Sequence, residues 1–591
     1  MIAKDGKTVV VAETACAHEG DTDRLLRLVD CVSESSADAI KFHGFTADGR
    51  SVPETQYHNV VSNLEISPEE WYGVIQKAKK YDLKIIVDVF DIESAELMSE
   101  LGIDAFKIHA ADIQNIPLLR TVAKTGKPLI LYVGGATKME IYESVEKVEK
   151  YGSENIILMY GLQNYPTSFE DSNLRKISQL KEEFKLPIGY ASHTPGGSMQ
   201  AKKLPAYAVA AGADLIECHF CLNRKNKRVD YISSLNPNEF EEMVRRVREI
   251  DTAVGTPTLN LSTAEKEYRQ GVRKALYTKR RIGSGCQITE DDVVYLRGDE
   301  NPNHHPVNMD QVIGKYTVKP IEKHTSLSMT DIDVKTTAVL ACRSESTRLY
   351  GKPFQLLDEK SILQHIVDGL RTVPNLDEIT LAIADTPSQS SYIEFADRNN
   401  LSYVIGPEID VLQRCILAAQ ETSSDFVVKA NTENPYVAYD LVEKAISTII
   451  DKNADLVVME NLPLGSAVDT VSTQALVRSH KYGDDRHRSE FTSRFILENT
   501  DSFNIECVTP PYELQRPEIR LTVDYPEDLV LARKIMSGIS DESVEPYLSI
   551  QSLISFLDKN PEIMDINKAF VDGTEDSIKQ ERPFAYGNRE A

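Results

Sequence analysis

Cations are scarce in this sequence: 66 Lys and Arg stand against 91 Asp and Glu, a formal net charge of −25 over 591 residues. A general nucleic-acid or membrane-surface binder carries a basic footprint, so this balance argues against both and requires any anionic substrate to be held by local clusters. Cysteine is sparse too. The eight are scattered, and the closest pair, Cys218 and Cys221, has no second pair to complete a zinc site, so buried free thiols are expected. No apolar run is long enough to span a bilayer, and MIAKDGKTVVVAE reads as a short charged lead into a strand rather than a secretory leader. These absences predict a cytoplasmic protein with no nucleic-acid and no membrane partner. What remains is an ordinary globular composition, 41% hydrophobic and 27% charged, in a chain too long for a single core.

Eight short apolar runs occupy the first half: KTVVVAE, DAIKFHG, KIIVDVF, DAFKIHA, PLILYVG, NIILMYG, LPIGYASH and DLIECHF. Amphipathic stretches such as DRLLRLVDCVSESS and PEEWYGVIQKAKKY separate them. The order predicts a closed parallel (β/α)8 barrel, a fold that places its chemistry at the carboxyl ends of the strands. Those ends carry Glu13, Lys41 with His43, Asp88, Lys107 with His109, Tyr132, Gln163, His193 and His219. Two lysines inside apolar strands need an anionic partner: a bound phosphate or carboxylate, or else Glu13 and Asp88 themselves. His193 and His219 end neighbouring strands, so their imidazoles can converge on one divalent ion with open positions, an arrangement suited to polarising a carbonyl.

The blocks AETACAHEG, ADAIKFHGF, AFKIHAADIQNIPLL, NYPT, GYASHT, ECHF and VDYISSLNP occur in order and together resemble the sialic acid synthases. That resemblance implies a TIM barrel that condenses phosphoenolpyruvate with an N-acyl hexosamine. It implies His193 and His219 as ligands of Mn2+ or Mg2+, Lys41 and Lys107 against the donor's anions with His43, His109 and Gln163 nearby, and Glu13, Tyr165 and Asp230 facing the sugar. The chain departs from the family where phosphate contacts are expected, with Asp88, Ala110, Tyr132, Gln163 and Ala191, and it has Ala17 in place of an asparagine. A changed donor or acceptor is the alternative these departures leave open. After LSTAEKEYRQ, short strands and turns resemble the antifreeze-like domain of the same synthases, which implies a homodimer in which Arg297 reaches the partner's sugar. The proline of the family's arginine-proline-glycine turn is missing here.

From Lys335 the pattern restarts as a buried strand, the loop RSESTRLYGK and an amphipathic helix, the opening of a doubly wound α/β nucleotide-binding domain. The loop lacks the glycines and the lysine-hydroxyl order of a Walker motif, and offers Arg343, Arg348 and Lys352 as a polyphosphate clamp instead. With GPEIDVLQR, VVKANTENP, NLPLGSAVDTVSTQAL and LTVDYPEDL it resembles the cytidylyltransferases of the sialic acid and 3-deoxy-octulosonate class, of the branch linked to spore-coat polysaccharides. The resemblance implies CTP binding by those three cations with Ser346, Asp410, Arg414 and Lys429, and Mg2+ on Glu433 and Asp524. Glu433 stands where the family has aspartate, and Glu345 where it has glycine, so a non-catalytic binding module is the other reading of this half. The expected domains are a barrel over 1–265, an antifreeze-like module over 275–335, a transferase over 336–565 and a tail over 566–591. The expected function is a bifunctional synthase and CMP-sugar synthetase, whose tether raises the local concentration of the shared intermediate.

Overall fold

The computed structural model of the protein describes residues 7–298, 304–306, 308–343, 348–539 and 547–570. The chain divides into two compact units, residues 1–258 and 259–591. In the first, the eight apolar runs are eight parallel strands: β1 (Val9–Glu13), β2 (Ala39–Gly44), β3 (Lys84–Val89), β4 (Ala105–Ile108), β5 (Leu129–Tyr132), β6 (Ile156–Tyr160), β7 (Ile188–Ser192) and β8 (Leu215–His219). They pair in sequence order, and β8 returns to β1 to close the barrel. Both faces of every strand are covered, which is why the runs read as continuous hydrophobes rather than alternating ones.

The two faces still divide by the strand's period of two. Val10, Ala12, Ile40, Phe42, Ile85 and Val87 pack outward against helical residues such as Leu25, Trp71, Val74 and Leu118. Val9, Val11, Ala39, Ile86, Ala105, Ile130 and Leu215 fill the barrel. Carried two residues further toward the carboxyl ends, the inward parity selects Glu13, Lys41, Asp88, Lys107, Tyr132 and Glu217. The surrounding helices start at defined caps. Ser67 and Glu70 form a reciprocal capping box at Pro68–Lys80, as do Thr137 and Glu140 at Lys138–Lys150.

The second unit begins with the helix Thr263–Val272 and the antiparallel ribbon β9 (Ala275–Thr278) and β10 (Val293–Leu296), followed by segments held by isolated bridges such as Ile282 to Ile321 and Thr317 to Ile332. There follows β11 (Thr336–Cys342), the two-residue pair β12 (Leu356–Leu357) and β13 (Lys360–Ser361), then β14 (Glu378–Ala384), β15 (Ser402–Gly406), β16 (Phe426–Asn431), β17 (Leu456–Met459), β18 (Asp469–Ser472) and β19 (Ile505–Val508). The main sheet has the order β15-β14-β11-β16-β18-β17-β19, with β18 antiparallel to both its neighbours. From β11 the chain winds first to β14 and β15 on one side, then crosses to β16 on the other. The crevice at the carboxyl ends of β11 and β16 is therefore the switch point where ligands of open α/β sheets bind.

The β9–β10 module and the sheet share one core: Leu276, Ile282, Val312, Ile321, Leu327 and Ile332 belong to the same buried cluster as Ala338, Leu340, Val428 and Val442. At their junction Asp425 accepts from Lys315 Nζ at 2.6 Å and from the Lys335 backbone N–H at 2.9 Å. The start of the expected tail is packed rather than free, because Asn567 is buried and donates to Arg520 O (3.2 Å) and Asp528 Oδ1 (2.9 Å), and Phe570 stacks on Tyr525 at 4.2 Å. The remainder, 571–591, lies outside the described residues. Among the described residues no helix is long and apolar enough to cross a membrane.

Asp425→Ala removes the carboxylate oxygen that accepts both hydrogen bonds at the junction. In thermal unfolding of the full chain it is expected to destabilise the second unit by about 1–3 kcal/mol; an unchanged transition would mean that the module and the sheet do not depend on each other there.

Candidate functional site

At the carboxyl mouth of the barrel, two ammonium groups sit among three carboxylates, all five side chains almost wholly buried. Lys41 Nζ pairs directly with Glu13 and lies 3.0 Å from Glu217 Oε1 and 3.5 Å from Asp88 Oδ2. Lys107 Nζ is 2.7 Å from the same Glu217 oxygen and 3.8 Å from Asp88 Oδ2. Glu13 Oε1 also accepts the Ala15 backbone N–H at 2.5 Å, whereas neither Asp88 oxygen has a hydrogen-bond partner. The lysines are thus paired within the protein, by Glu13 and Asp88 as one reading of the sequence had it, and above all by Glu217. Glu217 escaped the sequence reading although the inward parity, two residues before His219, marks it.

Burial pushes Lys41 down, to about 8, against the opposing pull of Glu217 and Asp88. For Lys107 burial acts the same way, but the charges of Glu217 and Asp88 outweigh it and hold that amine above its ordinary value. Burial also pushes the Glu217 carboxyl up, and the two lysines overcome it to hold Glu217 well below the carboxylate range.

An aromatic layer lies against the cluster. The Tyr132 ring is 5.0 Å from Lys107 Nζ, His109 stacks on Tyr132 at 6.2 Å, and Phe90 contacts both His109 (5.5 Å) and His43 (5.4 Å). His43 Nε2 stands 3.8 Å from Glu13 and 4.0 Å from Asp88, and burial drives its pKa well below normal, so it is a neutral ring there. His193 and His219 face each other with ring centroids 5.2 Å apart, and Tyr165 spans both, its hydroxyl 3.5 Å from His219 Nε2. Burial lowers His193 to about 3 and His219 well below its ordinary value, which leaves both imidazoles unprotonated and able to offer a lone pair. Among the described residues no group of three or more His, Cys, Asp or Glu is arranged to hold a metal. His193 and His219 thus present two unprotonated rings side by side, without a closed cage of ligands among the described residues.

Asp230 lies in the loop after β8, partly buried, with a carboxyl raised by burial against the opposing charges of Arg50 and Lys41. Arg50, a second residue the sequence reading missed, lies over the rings of Phe90 (4.2 Å) and Phe45 (4.4 Å). Gln163 stands half-buried in the loop after β6. Arg297 follows β10 in the second unit and is exposed.

The second candidate site occupies the switch point. Arg343 directly follows β11, and its guanidinium is 3.5 Å from Glu408. Lys352 Nζ is 2.7 Å from Asp524 Oδ1, Arg348 is 3.5 Å from the same oxygen with its guanidinium 5.2 Å from the Tyr525 ring, and Arg520 meets Asp524 Oδ2 at 2.9 Å. Burial pushes Asp524 up, but Lys352, Arg520 and Arg348 prevail and hold it below the ordinary range. Arg520 was missed by the sequence reading, although LTVDYPEDL begins one residue after it. The Val523 backbone N–H donates to Glu433 O at 3.1 Å, which joins the two segments that carry the expected magnesium carboxylates. Glu433 is shifted up by burial, against the charges of Lys352 and Lys429. Lys429 is held by Asn431 and by the Glu490 carbonyl (2.9 Å). Ser346 and Glu345 lie outside the described residues.

Two residues expected to meet the ligand, Arg414 and Asp410, also make scaffold contacts. Arg414 is buried and donates to the Pro407 and Glu408 carbonyls, both at 2.6 Å, fixing the turn whose Glu408 meets Arg343. Asp410 caps the helix Val411–Glu421 through Gln413 N–H at 2.8 Å and is held by His480 at 2.9 Å.

Three family models match separate stretches of the chain. A model of the NeuB family matches residues 28–258, one of the SAF domain 273–333, and one of a cytidylyltransferase 337–554. An uncharacterized protein of Methanocaldococcus jannaschii is 34% identical over 296 residues, covering 50% of this chain and 86% of that one. The chain belongs to the NeuB family. Among other relatives of this NeuB-family chain, the N,N'-diacetyllegionaminic acid synthase of Campylobacter jejuni is 32% identical over 49% of this chain and 90% of its own length. The synthase of the same description from Legionella pneumophila is 30% identical over 49% and 85% respectively.

Because burial raises the Glu433 carboxyl, this group is neutral in acid and gains its charge only above the ordinary glutamate range. If Glu433 holds magnesium, stabilisation of the protein by CTP with magnesium, read as a thermal shift, should grow as pH rises above that range. It should be lost in Glu433→Gln at all pH values; a shift that Glu433→Gln leaves intact would remove Glu433 from metal binding.

Proposed function

We propose that the chain is a bifunctional enzyme that makes and then activates a nonulosonate. In the barrel, phosphoenolpyruvate and an N-acyl hexosamine would combine with water to give the nonulosonate and inorganic phosphate. In the transferase domain, the sugar's anomeric hydroxyl would displace pyrophosphate from CTP to give the CMP-sugar. The observation that carries the first step is the convergence of Lys41, Lys107, Glu13, Tyr165, His193 and His219 on one barrel mouth. The relatives described as diacetyllegionaminic acid synthases support the class of product.

The roles follow from charge and position. Lys41 and Lys107 are the cations available to an anionic donor, and each would exchange an internal carboxylate for a ligand oxygen on binding. Glu13, opposite His219 in the β1–β8 register, is placed to take or return a proton at the reacting carbons. Tyr165 and Asp230 orient the sugar; Arg297, exposed beside the SAF ribbon, is proposed to reach the sugar of a second copy. A divalent ion on His193 and His219 would supply polarisation of the acceptor's aldehyde. In the transferase domain Arg343, Arg348 and Lys352 hold the polyphosphate, and Glu433 with Asp524 would hold magnesium, for which Lys352 stands in at Asp524.

The test is mass spectrometry of the intact chain with phosphoenolpyruvate, CTP, magnesium or manganese, and a panel of N-acyl hexosamines. A CMP-linked nonulosonate is expected, and His193→Ala should lower condensation by at least about a hundredfold while leaving CTP binding unchanged. Condensation retained in His193→Ala would sink the two-histidine site, and free nonulosonate without CMP transfer would leave the C-terminal half as a binding module.

A further inference from the structure

Lys41 and Lys107 are not the only cations at the barrel mouth. Burial is the first cause that lowers His43 and His109, and the charges that add to it include Lys41, Lys107 and a third cation, Arg50. The two lysines are already engaged: Glu217 Oε1 accepts from both, at 3.0 and 2.7 Å, and Glu13 sits directly on Lys41. Arg50 is not. Among the described residues it forms no ion pair, and its Nη1 is buried without a hydrogen-bond partner. The Cys16 thiol beside it stays protonated, because burial pushes that group up to about 11 against the pull of Arg50. Asp230, in the loop after β8, is raised by burial with Arg50 as the leading opposing charge, so Arg50 faces the mouth from the other side as well.

The loop after β2 fixes where this cation stands. The helical turn Ala47–Arg50 starts at Thr46, whose side chain accepts from the Gly49 N–H and whose own N–H donates to Asp91 Oδ2 at 2.8 Å, while the Ala47 N–H donates to Glu65 Oε2 at 2.8 Å. Gly49 is required there, since a Cβ would lie 2.4 Å from that of Asp91. The turn lays the half-buried Arg50 guanidinium over Phe45 (4.4 Å) and Phe90 (4.2 Å), and Phe90 in turn contacts His43 and His109 beside the lysine pair. Ring contact fixes a guanidinium without consuming its N–H donors, which stay available to an oxyanion. We propose that Arg50 is the residue that holds the donor's phosphate group at the barrel mouth. It does so without giving up a carboxylate, whereas either lysine must first exchange one. The phosphate, the more highly charged end of the donor, takes the guanidinium fork, and the lysine pair is left to the donor's carboxylate. This inference rests on the barrel mouth being the donor site. It adds the group that recognises the donor's phosphate end.

Isothermal titration of the full chain with phosphoenolpyruvate, pyruvate and inorganic phosphate tests it, at one pH, ionic strength and magnesium concentration, so that any charge a divalent ion adds is the same in every arm. The native protein should bind phosphoenolpyruvate more tightly than pyruvate. Arg50→Met, which keeps a long side chain over the two rings, should weaken phosphoenolpyruvate and inorganic phosphate by about tenfold or more and leave pyruvate nearly unchanged. Arg50→Lys, which keeps the charge but not the fork, should recover part of that loss. The melting profile of each variant is recorded first, so that a folding defect in one leaves the other as the test. The proposal is overturned if the folded variants bind phosphoenolpyruvate as the native chain does, or lose affinity equally for phosphoenolpyruvate and pyruvate. It is equally overturned if the native chain binds neither phosphoenolpyruvate nor inorganic phosphate. Condensation is assayed separately: product from the native chain, with phosphoenolpyruvate affinity unchanged in Arg50→Met, would remove the role of Arg50 and keep the synthase reading. Phosphate binding lost in Arg50→Met, with no product from the native chain, would keep the role of Arg50 and remove that reading.

Discussion

The buried ion cluster of Lys41 and Lys107 with Glu13, Asp88 and Glu217 is the constraint around which the barrel is organised. Five ionisable groups inside a protein interior are tolerable only when each faces a group of opposite charge type, and removing one partner strands another. The closed barrel meets that requirement geometrically. Neighbouring strands in register bring Glu13 beside Lys41, Lys41 beside Ile86 and Asp88 beside Lys107, while β8 closes against β1 and delivers Glu217 from the far edge. Residues distant in sequence meet because the sheet has no edge.

The same principle recurs in the transferase domain in a more open form. Lys352 and Arg520 hold Asp524 charged, while Glu433, buried deeper and facing fewer cations, is shifted the other way. Two carboxylates in adjoining segments thus have unlike environments. In each site a lysine sits on a carboxylate. The contrast lies in exposure: the barrel's lysines are sealed, whereas Arg343 and Arg348 reach solvent. Under the proposed function a polyphosphate would approach its cations directly, whereas a donor entering the barrel would have to replace internal pairs.

Much of this was legible in the sequence where a periodic signal existed. The eight apolar runs are the eight strands because parallel strands covered on both faces need no polar positions, and the histidine after β7 and the one that ends β8 do converge. Glu217 was hidden by its context, an acid between isoleucine and cysteine in a buried run, although its parity with His219 was available. Arg414 and Asp410 show a different limit. Charged residues in a motif-like block look like ligand contacts, and only the fold shows that one pins two carbonyls and the other caps a helix. The shared core between the SAF module and the sheet had no local signature, since it depends on which apolar faces meet in three dimensions.

The most direct test of the buried cluster is a double-mutant cycle on Lys107 and Glu217 read by calorimetric unfolding of the full chain. Lys107→Met and Glu217→Gln should each destabilise the barrel by about 3–5 kcal/mol, because each leaves an opposite charge buried. The double variant should be markedly less destabilised than the sum of the two. Single variants that unfold like the native chain, or losses that simply add, would contradict the claim that these charges are mutually paired in the interior.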